Sequence, residues 1–240
     1  MVALLLTISF SIGFFIESII GFGGGIIAYS ILSLFSHLIN VKEMIMAGLY
    51  IGTCSSAYIA YTGYKHFDKK SFLKIVPLSL VGVVIGVFAF SKLSPQALSL
   101  LFGILLISLA IKIMFFDHYV FPKIFQKQLI FIGGISQGAF GIGGPFWVNA
   151  LARDFANKSA LRTTMAVSFA SFNIVRLIQL SAQNQLKLEF YQNIWWVIIP
   201  IFFFIYLGYR VHMKISETFF KKLIATMTIL AGVKFLIHFF

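Results

Sequence analysis

Long apolar runs separated by short polar connections occupy almost the whole chain. Eight segments can be marked, at 2–36, 43–64, 72–91, 96–116, 128–152, 160–181, 193–210 and 217–239. A bilayer core about 30 Å thick takes about 20 helical residues. Two of the segments are too long for that. The run from Val2 to Phe35, taken as one straight helix, would measure roughly 50 Å. It holds one formal charge, Glu17, and is interrupted by Gly21-Phe22-Gly23-Gly24-Gly25. Each glycine costs about 1 kcal/mol relative to alanine inside a helix, so four in five residues predict two half-helices joined by an unwound turn. In lipid such a turn is tolerated only where protein or a water-filled cavity satisfies its backbone groups. The same device returns as Gly141-Ile142-Gly143-Gly144-Pro145. Broken helices at matching places in two halves point to a transporter's binding site.

The two halves repeat. At an offset of 120, Gly13 meets Gly133, Glu17 meets Gln137, Gly23 meets Gly143, Gly24 meets Gly144 and Lys42 meets Arg162. At an offset of 122, Ser91-Lys92-Leu93-Ser94 meets Met213-Lys214-Ile215-Ser216, and Lys112 meets Lys234. The expected organisation is one integral membrane domain of two four-segment repeats, 1–120 and 121–240. If the breaks are kinks, eight segments cross and the repeats are parallel. If they are re-entrant hairpins, each half crosses three times and the repeats are inverted. Eight crossings are preferred, because residues 2–20 alone can span about 28 Å. On that topology nine Lys and Arg residues fall on each side, so the positive-inside rule gives no orientation.

Composition narrows the class. The chain is 60% hydrophobic and 11% charged, where a soluble domain averages about 25% charged. This defines an all-α polytopic membrane protein whose partner is the lipid bilayer. The net charge of +12 sits in the connections, which suits headgroups rather than nucleic acid. Residues 2–20 lack a basic leader and a small-residue cleavage site, so they read as a retained helix. The single cysteine, Cys54, excludes an intrachain disulfide and a cysteine-cluster metal site. No metal-ligand cluster, P-loop or other cofactor signature is present, so no cofactor is expected. Gly134-Ile135-Ser136-Gln137-Gly138 fits a nucleophile-elbow pattern, but that motif needs a strand-turn-helix and this stretch is membrane helix. The expectation is therefore no enzyme.

The glycine breaks in the first and fifth helices, the two-fold repeat and the Lys-hydrophobic-Ser openings of the fourth and eighth helices resemble the sulfite exporter TauE/SafE family. The resemblance covers nearly the whole chain. It implies a permease for small anions of the organosulfur kind, such as sulfite, sulfoacetate and sulfonates. A bacterial cytoplasmic membrane location goes with that reading, and a homodimer is left open. One departure is Pro145, which removes an N–H donor from the second break.

Candidate site residues follow from the residues themselves. Freed N–H groups at a half-helix N-terminus can receive an anion. This singles out Gly21, Phe22, Gly23, Gly24 and Gly25, then Gly141, Ile142, Gly143 and Gly144, against a reading as close helix packing. Gly48 with Gly52, and Gly82 with Gly86, have small-xxx-small spacing and read as packing. Glu17 lies one turn before Gly21. Burial would raise its pKa and fit it for proton coupling, or it makes a structural hydrogen bond. Its counterpart Gln137 cannot titrate and is a candidate substrate donor. Asn173 and Arg176 share one helix face with Gln179. The Arg176 guanidinium offers a planar fork to a sulfonate or carboxylate, unless it snorkels to headgroups. The main expectation is a secondary transporter. A passive anion channel and a membrane scaffold without transport are the alternatives.

Overall fold

The computed structural model describes residues 1–20, 23–116, 119, 121–151, 154–155, 157–186, 188–211 and 217–237. Gly21 and Phe22 lie outside the described residues, as does Met213-Lys214-Ile215-Ser216. Among the described residues the secondary structure is helical and contains no strand. The first segment gives α1 (Val2–Ile20) and α2 (Gly24–Ser33), followed by α3 (Val41–Gly63), α4 (Lys69–Lys92) and α5 (Pro95–Phe115). The second half gives α6 (Gln126–Phe140), α7 (Gly144–Leu151), α8 (Lys158–Ala182), α9 (Leu188–Ile194), α10 (Ile198–Val211) and α11 (Glu217–Ile237).

The polar connections supply the helix caps. Asn40 and Glu43 form a capping box before α3: Glu43 N donates to Asn40 Oδ1 at 3.0 Å, and Asn40 N donates to Glu43 Oε2 at 3.1 Å. Asp68 accepts from the backbone of Lys70 and Ser71 and from the Ser71 hydroxyl, which holds its carboxyl below the usual carboxylate range. Ser94 caps α5, and Asn157 caps α8 by accepting from Ala160 N at 2.8 Å.

The chain forms two compact units. Unit 1 comprises Met1–Ala47, Leu93–Tyr119 and Trp196–Phe240, and unit 2 comprises Gly48–Lys92 and Val120–Trp195. In unit 1, α1 packs on α2 and α10, and α11 packs on α5 and α2. A β-carbon added at Gly232 would lie 3.0 Å from the Gly103 carbonyl oxygen, and the Phe102 and Phe235 rings are 5.1 Å apart. Gly103 also approaches Leu236, and Gly232 approaches Ile107, so α5 and α11 run antiparallel. In unit 2, α4 packs on α6 and α8. The α4–α6 seam is backbone against backbone: a β-carbon at Gly82 would lie 2.5 Å from the Phe131 oxygen, and one at Gly86 would lie 2.8 Å from Ala139 N. Gly82 and Gly86 are thus packing glycines, as expected of their spacing.

Both glycine breaks are hairpins, which corrects the preference for through-going kinked helices. In unit 1, Gly24 bonds Glu17, Gly13 touches Gly24 and Ala28, and Tyr29 stacks edge-on against Phe10 at 5.9 Å. Residue numbers rise along α2 as they fall along α1, so α2 folds back. In unit 2, Gly143 bonds Gln137, the Trp147 indole N–H donates to Ile130 O at 3.3 Å, and Gln126 Nε2 donates to Ala150 O at 3.1 Å. The physical reason lies in the turn residues. Gly23 and Gly141 adopt positive φ, 94° and 76°, which reverses the chain and is open to glycine at little cost. Gly13 then lets the two half-helices touch through backbone. Six stretches among the described residues are long and apolar enough to cross a membrane, and Gly24–Ser33 and Ala225–Ile237 are shorter apolar helices.

Candidate functional site

In unit 2 the second hairpin carries a connected polar cluster. Gln137 lies in the last turn of α6, and its Oε1 accepts from Gly143 N at 2.9 Å across the break. That bond fixes the amide's orientation and turns its Nε2 toward α8, where it donates to Asn173 Oδ1 at 3.0 Å. Arg176, three residues on from Asn173 and so on the same face of α8, donates through Nε to Gly138 O at 3.1 Å and through NH1 to Asn173 Oδ1 at 3.3 Å. Gly138, Gln137, Asn173 and Arg176 thus form one unit anchored on two helices. Gly141 N donates to Gln137 O, and the Ser136 hydroxyl donates to Ile142 O at 2.5 Å, closing the turn. Gly143 and Gly144 begin the returning helix. A β-carbon at Gly143 would lie 2.7 Å from the Trp147 ring.

Arg176 is 1% exposed. Gly138, its carbonyl partner, abuts Val83 of α4, and α4 runs on well past that level to Lys92. Arg176 is therefore enclosed by protein and does not snorkel. A guanidinium in such a place is costly unless paired, and here carbonyl and amide oxygens meet it. Gln179, the third member of the stripe, points elsewhere and donates to Val84 O at 3.1 Å.

In unit 1 the first hairpin is built the same way with a carboxylate. Glu17 is 7% exposed, and its Oε2 accepts from Gly24 N at 2.7 Å. Gly24 leaves no room for a side chain: a β-carbon would lie 2.6 Å from that same oxygen. Gly23 precedes α2 as its N-cap with open space around it, and Gly25 faces the Tyr29 ring. The Glu17 Oε2 occupies the position where an anion's oxygen would sit on this helix N-terminus.

Sequence reasoning named Glu17 and Gln137 but not what they do to the returning helices. It also passed over Gly13 and Gly133 as contact points, although both appeared in the repeat. Ser136 sits inside α6 and is no nucleophile elbow. Among the described residues no three His, Cys, Asp or Glu side chains gather as for a metal ion.

An apolar all-helical chain with membrane-length helices and two self-capped hairpins holding buried polar groups is an integral membrane protein of the permease class. The sulfite exporter TauE/SafE family model matches residues 5–235, nearly the entire chain, and the chain belongs to that family. No curated protein and no solved structure matches it.

Proposed function

We propose that the chain is a secondary transporter for small organosulfur anions of the sulfite, sulfoacetate and sulfonate class, coupled to protons through Glu17. The observation that carries this reading is the 2.7 Å bond from Gly24 N to the buried Glu17 carboxylate. A carboxylate seated on a helix N-terminus is a surrogate for an anionic substrate. Protonation removes its charge and weakens its hold, so the N–H and the positive end of the helix become available to a substrate oxyanion. A proton and an anion then travel together. In unit 2 the neutral Gln137 holds the matching N–H of Gly143, while Arg176 and Asn173 supply the fixed positive charge and hydrogen bonds for a sulfonate or sulfite oxygen. Each break offers its backbone to an anion by itself, Gly23, Gly24 and Gly25 in unit 1 and Gly141, Ile142, Gly143 and Gly144 in unit 2. The sequence repeat of 1–120 and 121–240 is supported by the matched hairpins. The antiparallel course of α5 and α11, the last helices of the two halves, favours inverted repeats.

Purified protein in liposomes, offered sulfite, thiosulfate, sulfoacetate and taurine under an imposed pH gradient, tests the reading. Saturable, counterflow-competent uptake of one of the anions is the expected result. Flux at channel rates without saturation, or no flux at all, would reject it.

A further inference from the structure

Unit 2 has one strongly basic end. Ser79 of α4 bonds Ile130 of α6, and Gly86 further along α4 meets Ile135 and Ala139 further along α6. Asp68 N, just before α4, and Val84 O within it bond Thr164 and Gln179 of α8 in the same rising order. The three helices are therefore parallel, and their N-termini share an end. The α3–α4 connection lies there too, with Gly63 O accepting from the Thr163 hydroxyl. This end carries Lys65 on the connection, Lys69 and Lys70 at the start of α4, Lys127 at the start of α6, and Lys158 and Arg162 at the start of α8. Of the acids there, Asp154 is paired with Lys74. Among the described residues of the unit, the opposite end carries Lys92, which closes α4.

This asymmetry is hidden in a topology of through-going helices, which puts the start of α8 on the side opposite the α3–α4 connection. The hairpin of α6 and α7 brings the two back to one side. Basic residues in short connections concentrate on the cytoplasmic side of membrane proteins. The headgroup region of that leaflet is anionic, and the attraction is additive over nearby lysines and arginines. We propose that the basic end of unit 2 is the cytoplasmic end of the protein and is seated on anionic phospholipid headgroups. The three helix N-termini at this end add to its positive field.

Two measurements test this, and neither depends on transport, so they stand apart from the substrate reading. Lys70 and Lys92 are both exposed. Lys70→Cys and Lys92→Cys variants in intact bacterial cells are treated with a membrane-impermeant maleimide, with the parent chain giving the Cys54 background. Labelling at position 92 in intact cells, and at position 70 only after permeabilisation, is expected. Labelling at 70 in intact cells, or at neither position, overturns the orientation. For the lipid contact, delipidated protein is titrated with phosphatidylglycerol and with phosphatidylcholine. Phosphatidylglycerol is expected to bind tighter, and each neutralising change among Lys69→Gln, Lys70→Gln and Lys158→Gln is expected to weaken it about fivefold. Equal affinity for the two lipids, or unchanged phosphatidylglycerol binding by the triple variant, overturns the contact. Because these side chains are exposed, thermal melting of the triple variant should match the parent, which separates loss of lipid from loss of fold.

Discussion

Glu17 and Gln137 do the same work in the two hairpins: each accepts, through a side-chain oxygen, an N–H from the start of the helix that returns past it. Glu17 takes that of Gly24 at 2.7 Å and Gln137 that of Gly143 at 2.9 Å. The geometry is shared and the chemistry is not, since only the carboxyl can exchange a proton.

Glu17→Gln is the direct consequence. The amide oxygen can still accept from Gly24 N, so the hairpin should form and substrate-for-substrate exchange across a liposome membrane should persist. Accumulation driven by a pH gradient, about tenfold per unit for one proton, should fall to equilibration. Full pH-driven accumulation in the variant would assign Glu17 to structure alone.

Arg176→Ala removes a charged donor that holds Gly138 O and Asn173. Hydrogen bonds to charged groups are worth about 1.5–3 kcal/mol, so the half-saturating anion concentration should rise about 10- to 100-fold. Arg176→Lys should recover part of this, lacking the planar fork. Unchanged affinity in Arg176→Ala would leave the guanidinium as a helix tie only. Radiolabelled uptake over a concentration series reads both variants.

The two breaks should answer substitution differently. Gly23 has open space around it and only its positive φ to protect. Asn tolerates that conformation, so Gly23→Asn should express and transport at close to parental levels. Gly143→Ala has no such escape, because its methyl would press on Trp147 and on the Gly133 carbonyl oxygen. Transport by Gly143→Ala should be lost, and Leu at either position should abolish transport with insertion retained. Equal tolerance of Gly23→Asn and Gly143→Ala in an uptake assay would contradict the hairpin geometry.

The α4–α6 seam offers a test of stability. Gly86→Leu would drive a side chain into the backbone of Gly138 and Ala139. Overpacking of this sort costs about 1–3 kcal/mol or more, so the melting temperature in detergent should drop by several degrees or more. A melt indistinguishable from the parent would mean that the seam is not formed as described.

The helical segments were legible because bilayer thickness imposes a length on apolar runs, and the breaks because four glycines in five residues defeat a continuous helix. The direction taken after each break was not. A glycine turn reads alike for a kink and for a hairpin, and the deciding contacts, Glu17 with Gly24 and Trp147 with Ile130, exist only once the chain has folded back. Whether Arg176 snorkels or is enclosed by protein was not readable for a related reason. Counting residues to the end of its own segment ignores α4, which continues beyond it and helps close it in. Charge orientation failed with the topology, since one wrong parity exchanges every later connection.

Self-capping bears on how such a chain is assembled. A lone half-helix delivered into lipid would carry bare N–H groups, each costing several kcal/mol. A hairpin that satisfies the first of its own N–H groups from its own preceding helix needs no neighbour for that step. It can partition from the insertion machinery as a closed two-helix piece and meet the rest of the bundle afterwards. In the second hairpin the capping group, Gln137, is uncharged. The first must bring a carboxyl with it, and Glu17 enters lipid most cheaply with its proton on.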